Sequence, residues 1–189
     1  MLSKLKRPLD KNDFPIRANL VDTELGWIAC AWRRNILLRI TMAHPDPQAA
    51  LLATDCDIDV VGEENKATKR LARKLVSHAS GKRQDYSDIE VDLDWTTAFQ
   101  RSVFTACRQI AWGEVRTYGE LAAEVGAPNA ARAVGSVMAS NRCPLVIPCH
   151  RVVAANRKLG GFTARDGVEL KKRLLKFEGS WPLTPRRPR

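Results

Sequence analysis

The residues best equipped for chemistry cluster between Asn141 and Phe162, in NRCPLVIPCHRVVAANRKLGGF. The apolar run Leu145-Val146-Ile147 reads as strand-like and ends at Pro148, so Cys149 emerges at the edge of a rigid element, followed at once by His150 and Arg151. A thiol is mostly protonated at neutral pH and becomes a useful nucleophile where an imidazole or a positive field favours the thiolate. Adjacent side chains rarely hydrogen-bond each other directly. A proton moving from Cys149 to His150 therefore calls for a bridging water, and for a carboxylate elsewhere that orients the imidazole. Glu178 is the candidate orienter, at the end of the amphipathic stretch from Gly167 to Glu178. Taken alone, a Cys beside a His is more often a buried thiol and a satisfied histidine, and a terminal Glu is more often exposed.

Several elements must position this segment. From Thr96 a helical period places Phe99, Val103, Phe104, Cys107 and Ile110 on one face, ending at Gly113. Thr117 stands three residues before Glu120 in TYGELAAEVG, the spacing of a capping box, and Gly126 closes that helix. After Ala127-Pro128, Asn129 is placed to cap a second helix, AARAVGSVMAS, giving a helix-turn-helix pattern. In the second helix Ala130, Val134, Val137 and Met138 form the expected buried stripe, leaving Ala131, Arg132, Gly135 and Ala139 mainly outside. Small residues around one arginine let a helix backbone approach a groove while a long cation probes inward. Periodicity by itself favours a tightly packed helix pair with Arg132 solvated.

The N-terminal half is organised differently. Leu25 to Met42 reads as a β-hairpin around Arg33, Arg34 and Asn35, and Asn65 to Ser80 as an amphipathic helix capped by Asn65 and stopped near Gly81. Polar residues 81–95 mark a domain boundary. At 189 residues, with 44% hydrophobic and 28% charged side chains, the chain has the composition of a globular protein with a real core. No apolar run approaches membrane-helix length and the start MLSKLKRPLD lacks a signal-peptide core, so a soluble, cytoplasmic protein is expected. Five scattered cysteines argue against a disulfide framework. Residues 1–90 carry 15 basic and 13 acidic groups and residues 91–189 carry 16 and 8, so most of the +10 net charge sits in the second half. A polyanion-binding surface accounts for that asymmetry, and so, on charge alone, does a solvated basic face.

The set as a whole resembles the C-terminal domain of the O6-alkylguanine-DNA alkyltransferases, the methylated-DNA–protein-cysteine methyltransferases. The resemblance rests on IPCHRVV at 147–153, and continues through GEVRTYGELAA, AARAVGSVM, GGF and LLKFEG, covering roughly Phe99 to Gly179. It implies that Cys149 accepts the alkyl group, that His150 acts through a water as its base, and that Glu178 holds the histidine. Tyr118 takes the position of the family's tyrosine, which donates to the leaving guanine, and Asn141 that of the hinge asparagine. Arg132 matches the arginine that enters the duplex as the damaged nucleotide rotates out, with Ala131, Ala133 and Gly135 as the small face in the minor groove. Thr117 and Arg151 are further candidates for DNA contact. Val152, Gly160, Gly161, Phe162 and Thr163 belong to the wing and the wall of the base pocket, with Thr163 as candidate hydroxyl. The spacing from Gly160-Gly161 to the last helix is slightly longer than in some relatives.

These readings give an α/β N-terminal domain (1–90), ribonuclease-H-like by resemblance, then a mainly α winged helix-turn-helix domain (91–180) and a basic tail (181–189). The expected activity is single-use repair: irreversible transfer of the alkyl group from O6 of guanine, and less well from O4 of thymine, to Cys149. The expected partner is double-stranded DNA carrying the lesion, bound through its minor groove by a protein monomeric in free solution, with no membrane and no cofactor. No metal site is expected, because Cys30, His44, Cys56 and His78 lack close ligand spacing. One alternative is a non-enzymatic lesion sensor of the alkyltransferase-like type, against which Cys149 argues. Another is a Cys-His hydrolase, which would need neither a basic helix-turn-helix nor Arg132.

Overall fold

The computed structural model describes residues 14–62 and 64–183; most of the basic tail, 184–189, lies outside them. Strands β1 (Ile16–Val21), β2 (Trp27–Arg33) and β3 (Ile36–His44) form an antiparallel meander, and the short β4 (Val60–Val61) joins β1 in parallel, giving the order β3-β2-β1-β4. The expected hairpin is β2–β3. It turns at Arg34-Asn35, with Arg34 in the left-handed region at φ 57°. Helix α1 (Pro47–Leu52) packs on β2 and β3, and α2 (Lys66–Ala79) packs on β1. Asn65 caps α2 as its sequence suggests: its side chain accepts from Ala67 and Thr68 amides, and Thr68 completes the box. Leu71, Leu75 and Trp32 are fully buried between helix and sheet, and Trp32 Nε1 donates to Asn19 Oδ1 at 2.7 Å, which satisfies the indole inside the core.

The second half is helical. Helices α3 (Ala98–Arg108), α4 (Tyr118–Glu124) and α5 (Ala131–Ala139) pack together, and α6 (Gly167–Phe177) closes over the segment that follows α5. Two-residue strands β5 (Arg116–Thr117) and β6 (Val152–Val153) pair in parallel beside α4. The Thr117–Glu120 capping box forms in full. Asn129 does not cap α5: the N-cap is Ala130, with no side-chain bond, so those first amides lack the expected acceptor.

The connecting segment is fixed rather than loose. Arg108 Nη2 donates to the carbonyls of Tyr86 and Ile89 at 3.1 and 2.9 Å, while Tyr86 and Ile89 are themselves buried. The outer edge of β3 is covered by backbone bonds between Leu37 and residues Glu90 and Asp92, and by Ile40 N donating to Arg142 O at 2.8 Å. One contiguous cluster of buried side chains runs from Ile28 and Leu71 to Val134 and Leu174. The sheet is thereby bonded directly to the segment carrying Asn141. Among the described residues no helix is long and apolar enough to cross a membrane.

Candidate functional site

The stretch read as strand-like, Leu145 to Ile147, is a tight turn. Asn141 Oδ1 accepts from Cys143 N at 2.9 Å, Asn141 Nδ2 donates to Ile147 O at 2.9 Å, and Ile147 N donates to Cys143 O at 2.8 Å. These local bonds satisfy the backbone that a sheet would otherwise use, and Leu145 adopts φ 70° to close the loop. Pro148 then leads into a 3-10 turn, Cys149–Arg151, which swings successive side chains in different directions. The element is rigid, but by a side-chain-braced turn instead of a strand.

Cys149 is 6% exposed, and Asn141 Nδ2 reaches its Sγ at 3.0 Å. Burial raises the thiol above its ordinary value; the Asn141 donor, the Lys171 ammonium and local amides pull it back toward the thiolate. His150 and Glu178 are both buried, and His150 Nε2 meets Glu178 Oε1 at 2.9 Å. That bond places the proton on Nε2 and leaves Nδ1, which has no hydrogen-bond partner among the described residues, as the free lone pair. Burial holds the imidazole below its ordinary value against the pull of Glu178, so it is neutral at pH 7. Burial by itself would raise the Glu178 carboxyl; His150 and Arg151, by charge and hydrogen bond, outweigh it and keep the group ionised.

Arg151, expected to face DNA, is buried instead. Its Nε and Nη2 both bond the Glu178 carboxylate at 2.8 Å and its Nη1 donates to Ile110 O at 2.6 Å, so its donors are directed into the core. Thr117 uses its hydroxyl to cap α4, accepting from Glu120 N at 3.1 Å. Val152 is likewise fully buried, behind the pocket wall instead of on it. Lys171, within the amphipathic stretch that forms α6, is fully buried; its Nζ donates to Val152 O at 2.6 Å and to Gly161 O at 3.3 Å, tying α6 to β6 and to the loop that follows it.

A cavity of about 320 Å³ opens beside the thiol, lined by Tyr118, Gly135, Met138, Ala139, Cys149, Gly161, Phe162 and Thr163. It gathers residues from α4, α5, the nucleophile turn and the loop before α6. Burial, then Cys149 and Cys107, raise the Tyr118 phenol, which keeps its proton. Gly160, at φ 69°, stands so close to that ring that a Cβ would come within 3.2 Å of it, so it shapes the pocket from behind Tyr118. On α5, Arg132 and Ala133 are exposed and Ala131 and Gly135 partly so, whereas Val134, Val137 and Met138 face the core. The other four cysteines are free thiols; Cys30, Cys107 and Cys143 are buried and their thiols raised, which makes them inert.

His78 was not singled out for the site, yet it is fully buried against Glu178. His78, His150 and Glu178 present potential ligand atoms within 4.8 Å of one another. The Arg151 guanidinium on the same carboxylate opposes a cation there, and the His150–Glu178 bond would have to break to admit one.

Residues 98–180 match the family model described as the DNA-binding domain of 6-O-methylguanine DNA methyltransferase. A methylated-DNA–protein-cysteine methyltransferase of Mycobacterium bovis is 41% identical over 176 residues, 87% of this chain and 93% of the relative. The chain belongs to this family. A second member, from Metallosphaera sedula, is 44% identical over 117 residues, 62% of this chain and 71% of the relative. Among solved structures, Mycobacterium tuberculosis OGT in complex with DNA superposes with a TM-score of 0.71 at 31% identity, covering 87% of this chain and 93% of that one.

Proposed function

We propose that this protein repairs alkylated DNA by moving the alkyl group from O6 of guanine, and less readily from O4 of thymine, onto Cys149. The observation that carries the reading is the placement of Cys149: its sulfur lines the cavity beside the small-faced helix α5 while the His150–Glu178 pair stands behind it. In the transfer, the Cys149 thiol loses its proton through a water to His150 Nδ1, the sulfur–carbon bond forms as the O6–carbon bond breaks, and guanine leaves. Asn141 Nδ2 supports the developing thiolate, as does the buried Lys171 cation. Tyr118, a neutral phenol on the cavity wall, donates to the guanine so that it departs as a neutral base. Phe162 and Thr163 form the opposite wall.

A duplex hides O6 in the stack, so the damaged nucleotide must rotate out to reach this cavity. The α4–turn–α5 unit with the loop after β6 serves as a winged helix-turn-helix, with α5 in the minor groove and Arg132 entering the vacated stack. Small Ala131, Ala133 and Gly135 allow the close approach. The ribonuclease-H-like sheet domain, residues 1–90, is scaffold. Binding is sequence-independent and salt-sensitive, by a monomer in the cytoplasm. The product thioether is not displaced by water, so each molecule acts once. Mixing stoichiometric protein with a duplex containing one O6-methylguanine tests this. The expected result is a gain of about 14 Da on Cys149, with unmodified guanine left in the DNA. Tight binding without that gain makes the protein a lesion sensor.

A further inference from the structure

Glu178 has a neighbour for which the transfer reading has no role. His78, near the end of α2, places Nε2 3.7 Å from Glu178 Oε1, the oxygen that also holds His150 Nε2; the contact is electrostatic and beyond hydrogen-bond reach, and His78 Nε2 has no hydrogen-bond partner among the described residues. The two imidazoles meet edge to face with centroids 6.2 Å apart, and Trp112 packs on the other side of His78 at 4.9 Å. Tyr86 fixes the far nitrogen: its hydroxyl lies 3.1 Å from His78 Nδ1, against 3.5 Å from the Lys74 carbonyl. A phenol donating to Nδ1 leaves the hydrogen of His78 on Nε2, facing the carboxylate. The opposite tautomer would set a lone pair against an anion. The charged and titratable groups facing His78 are thus Glu178, Arg151, His150 and Tyr86, and burial followed by His150 pushes His78 itself down to about 3, so it stays neutral.

We propose that His78 is a positioning residue for the transfer: from the N-terminal half of the chain, its Nε2–H draws on the Glu178 carboxylate and so restrains the pull of that carboxylate on His150, keeping the His150 Nδ1 lone pair free. An N–H dipole aimed at the carboxylate from 3.7 Å offsets part of its negative potential, so the imidazolium form of His150 is less favoured than with Arg151 alone beside Glu178. Lower basicity keeps His150 neutral further into acid. The inference rests on the reading of His150 as the base.

The test measures single-turnover transfer from an O6-methylguanine duplex to the full chain from about pH 5 to 9, for wild type, His78→Phe, His78→Gln and Tyr86→Phe. His78→Phe removes the donor, and the acidic limb of the rate should move up by about 0.5–1 pH unit, a slowing of roughly three- to tenfold on that limb. Tyr86→Phe frees the tautomer and should shift it part of the way. Glutamine retains an N–H toward Oε1 and should restore the wild-type limb. An NMR titration of the His150 ring in the DNA-free protein should show the same displacement. An unmoved limb and an unmoved His150 titration in His78→Phe overturn the proposal, as does an equal shift in His78→Gln, which would make the effect one of packing. If His78→Phe does not fold, the Gln and Tyr86→Phe variants decide by the same criteria. Wild-type transfer with no acidic limb over a range in which NMR shows His150 titrating refutes His150 as base, and this inference with it; a limb that is present but insensitive refutes His78 alone.

Discussion

Replacing Glu178 by Gln preserves the shape of the side chain and deletes its charge. In the native protein the carboxylate accepts from His150 Nε2 at 2.9 Å and from Arg151 Nε and Nη2 at 2.8 Å, at a position only 4% exposed. An amide accepts at one atom and turns its NH2 toward either His150 or Arg151, both donors. The buried guanidinium then loses its counter-charge. Breaking a buried pair from one side costs about 3–5 kcal/mol, because the surviving charge remains desolvated. For a chain of this size each kcal/mol moves Tm by about 2–4 °C, so the variant should melt about 6–20 °C lower. Urea unfolding of wild type, Glu178→Gln, Arg151→Met and the double variant apportions the effect. The double variant should lose about 1–3 kcal/mol less than the sum of the singles, even though Arg151→Met also strips Ile110 O of its partner. A loss under about 1 kcal/mol for Glu178→Gln, with additive singles, would show that the two groups are not a desolvated pair and would refute the electrostatic account of the site.

Asn141→Ala removes three side-chain bonds, to Ile147 O, Cys143 N and Cys149 Sγ; it should cost about 2–3 kcal/mol in urea unfolding and shift the pH dependence of thiol alkylation upward. His78 and His150 are held below their ordinary values and Glu178 is depressed, so in acid the unfolded chain binds more protons than the folded one. Stability should be complete above about pH 6.5 and fall as pH drops, first through the two histidines and then, below the ordinary carboxylate range, through Glu178, as read by Tm against pH. Arg132→Ala, at an exposed position, should leave Tm within about 2 °C while slowing transfer from a duplex far more than from a single strand; equal slowing on both would remove Arg132 from the flipping step.

What the sequence announces here is local. The cap at Asn65, the box at Thr117–Glu120 and the apolar stripe of α5 are each complete within a few residues, and they form as read except at Ala130, which is the N-cap and only partly buried. The nucleophile turn is not legible as a turn because its bracing comes from the Asn141 side chain, which supplies bonds that an apolar Leu-Val-Ile run would otherwise seek in a sheet. The burial of Arg151 and Lys171 is not legible, because cations usually lie at the surface and their partners, Glu178 and the carbonyls of Val152 and Gly161, are remote along the chain. A signal is nevertheless present. Lys171, Leu174, Leu175 and Glu178 stand at i, i+3, i+4 and i+7 on the buried face of α6, and Leu71, Leu75 and His78 follow the same rule on α2. A charged or titratable residue in register with a buried stripe has to find a partner inside. The sequence does not say which one, since α2 and α6 meet only through the tertiary fold.

The Asn141 brace also sets the stability of the alkylated protein. Before transfer, Asn141 Nδ2 bonds the Cys149 sulfur at 3.0 Å; afterwards that sulfur is a thioether, as weak an acceptor as the neutral thiol but with no thiolate form and with a carbon on its surface, so the bond is weakened. A methyl group fits the adjoining cavity of about 320 Å³, so steric overpacking contributes little and the weakened bond dominates. Weakening it costs about 0.5–1 kcal/mol and should lower Tm by about 1–4 °C. Larger alkyl groups occupy more of the cavity, gain apolar contact with Met138 and Phe162, and offset part of this loss until they press on the Tyr118–Gly160 contact. Melting curves of the protein alkylated by methyl, propyl and benzyl donors should therefore pass through a maximum among the alkylated forms, with the methylated form below the free one. A methylated protein as stable as the free thiol form would show that alkylation leaves the Asn141–sulfur bond intact and would refute this account.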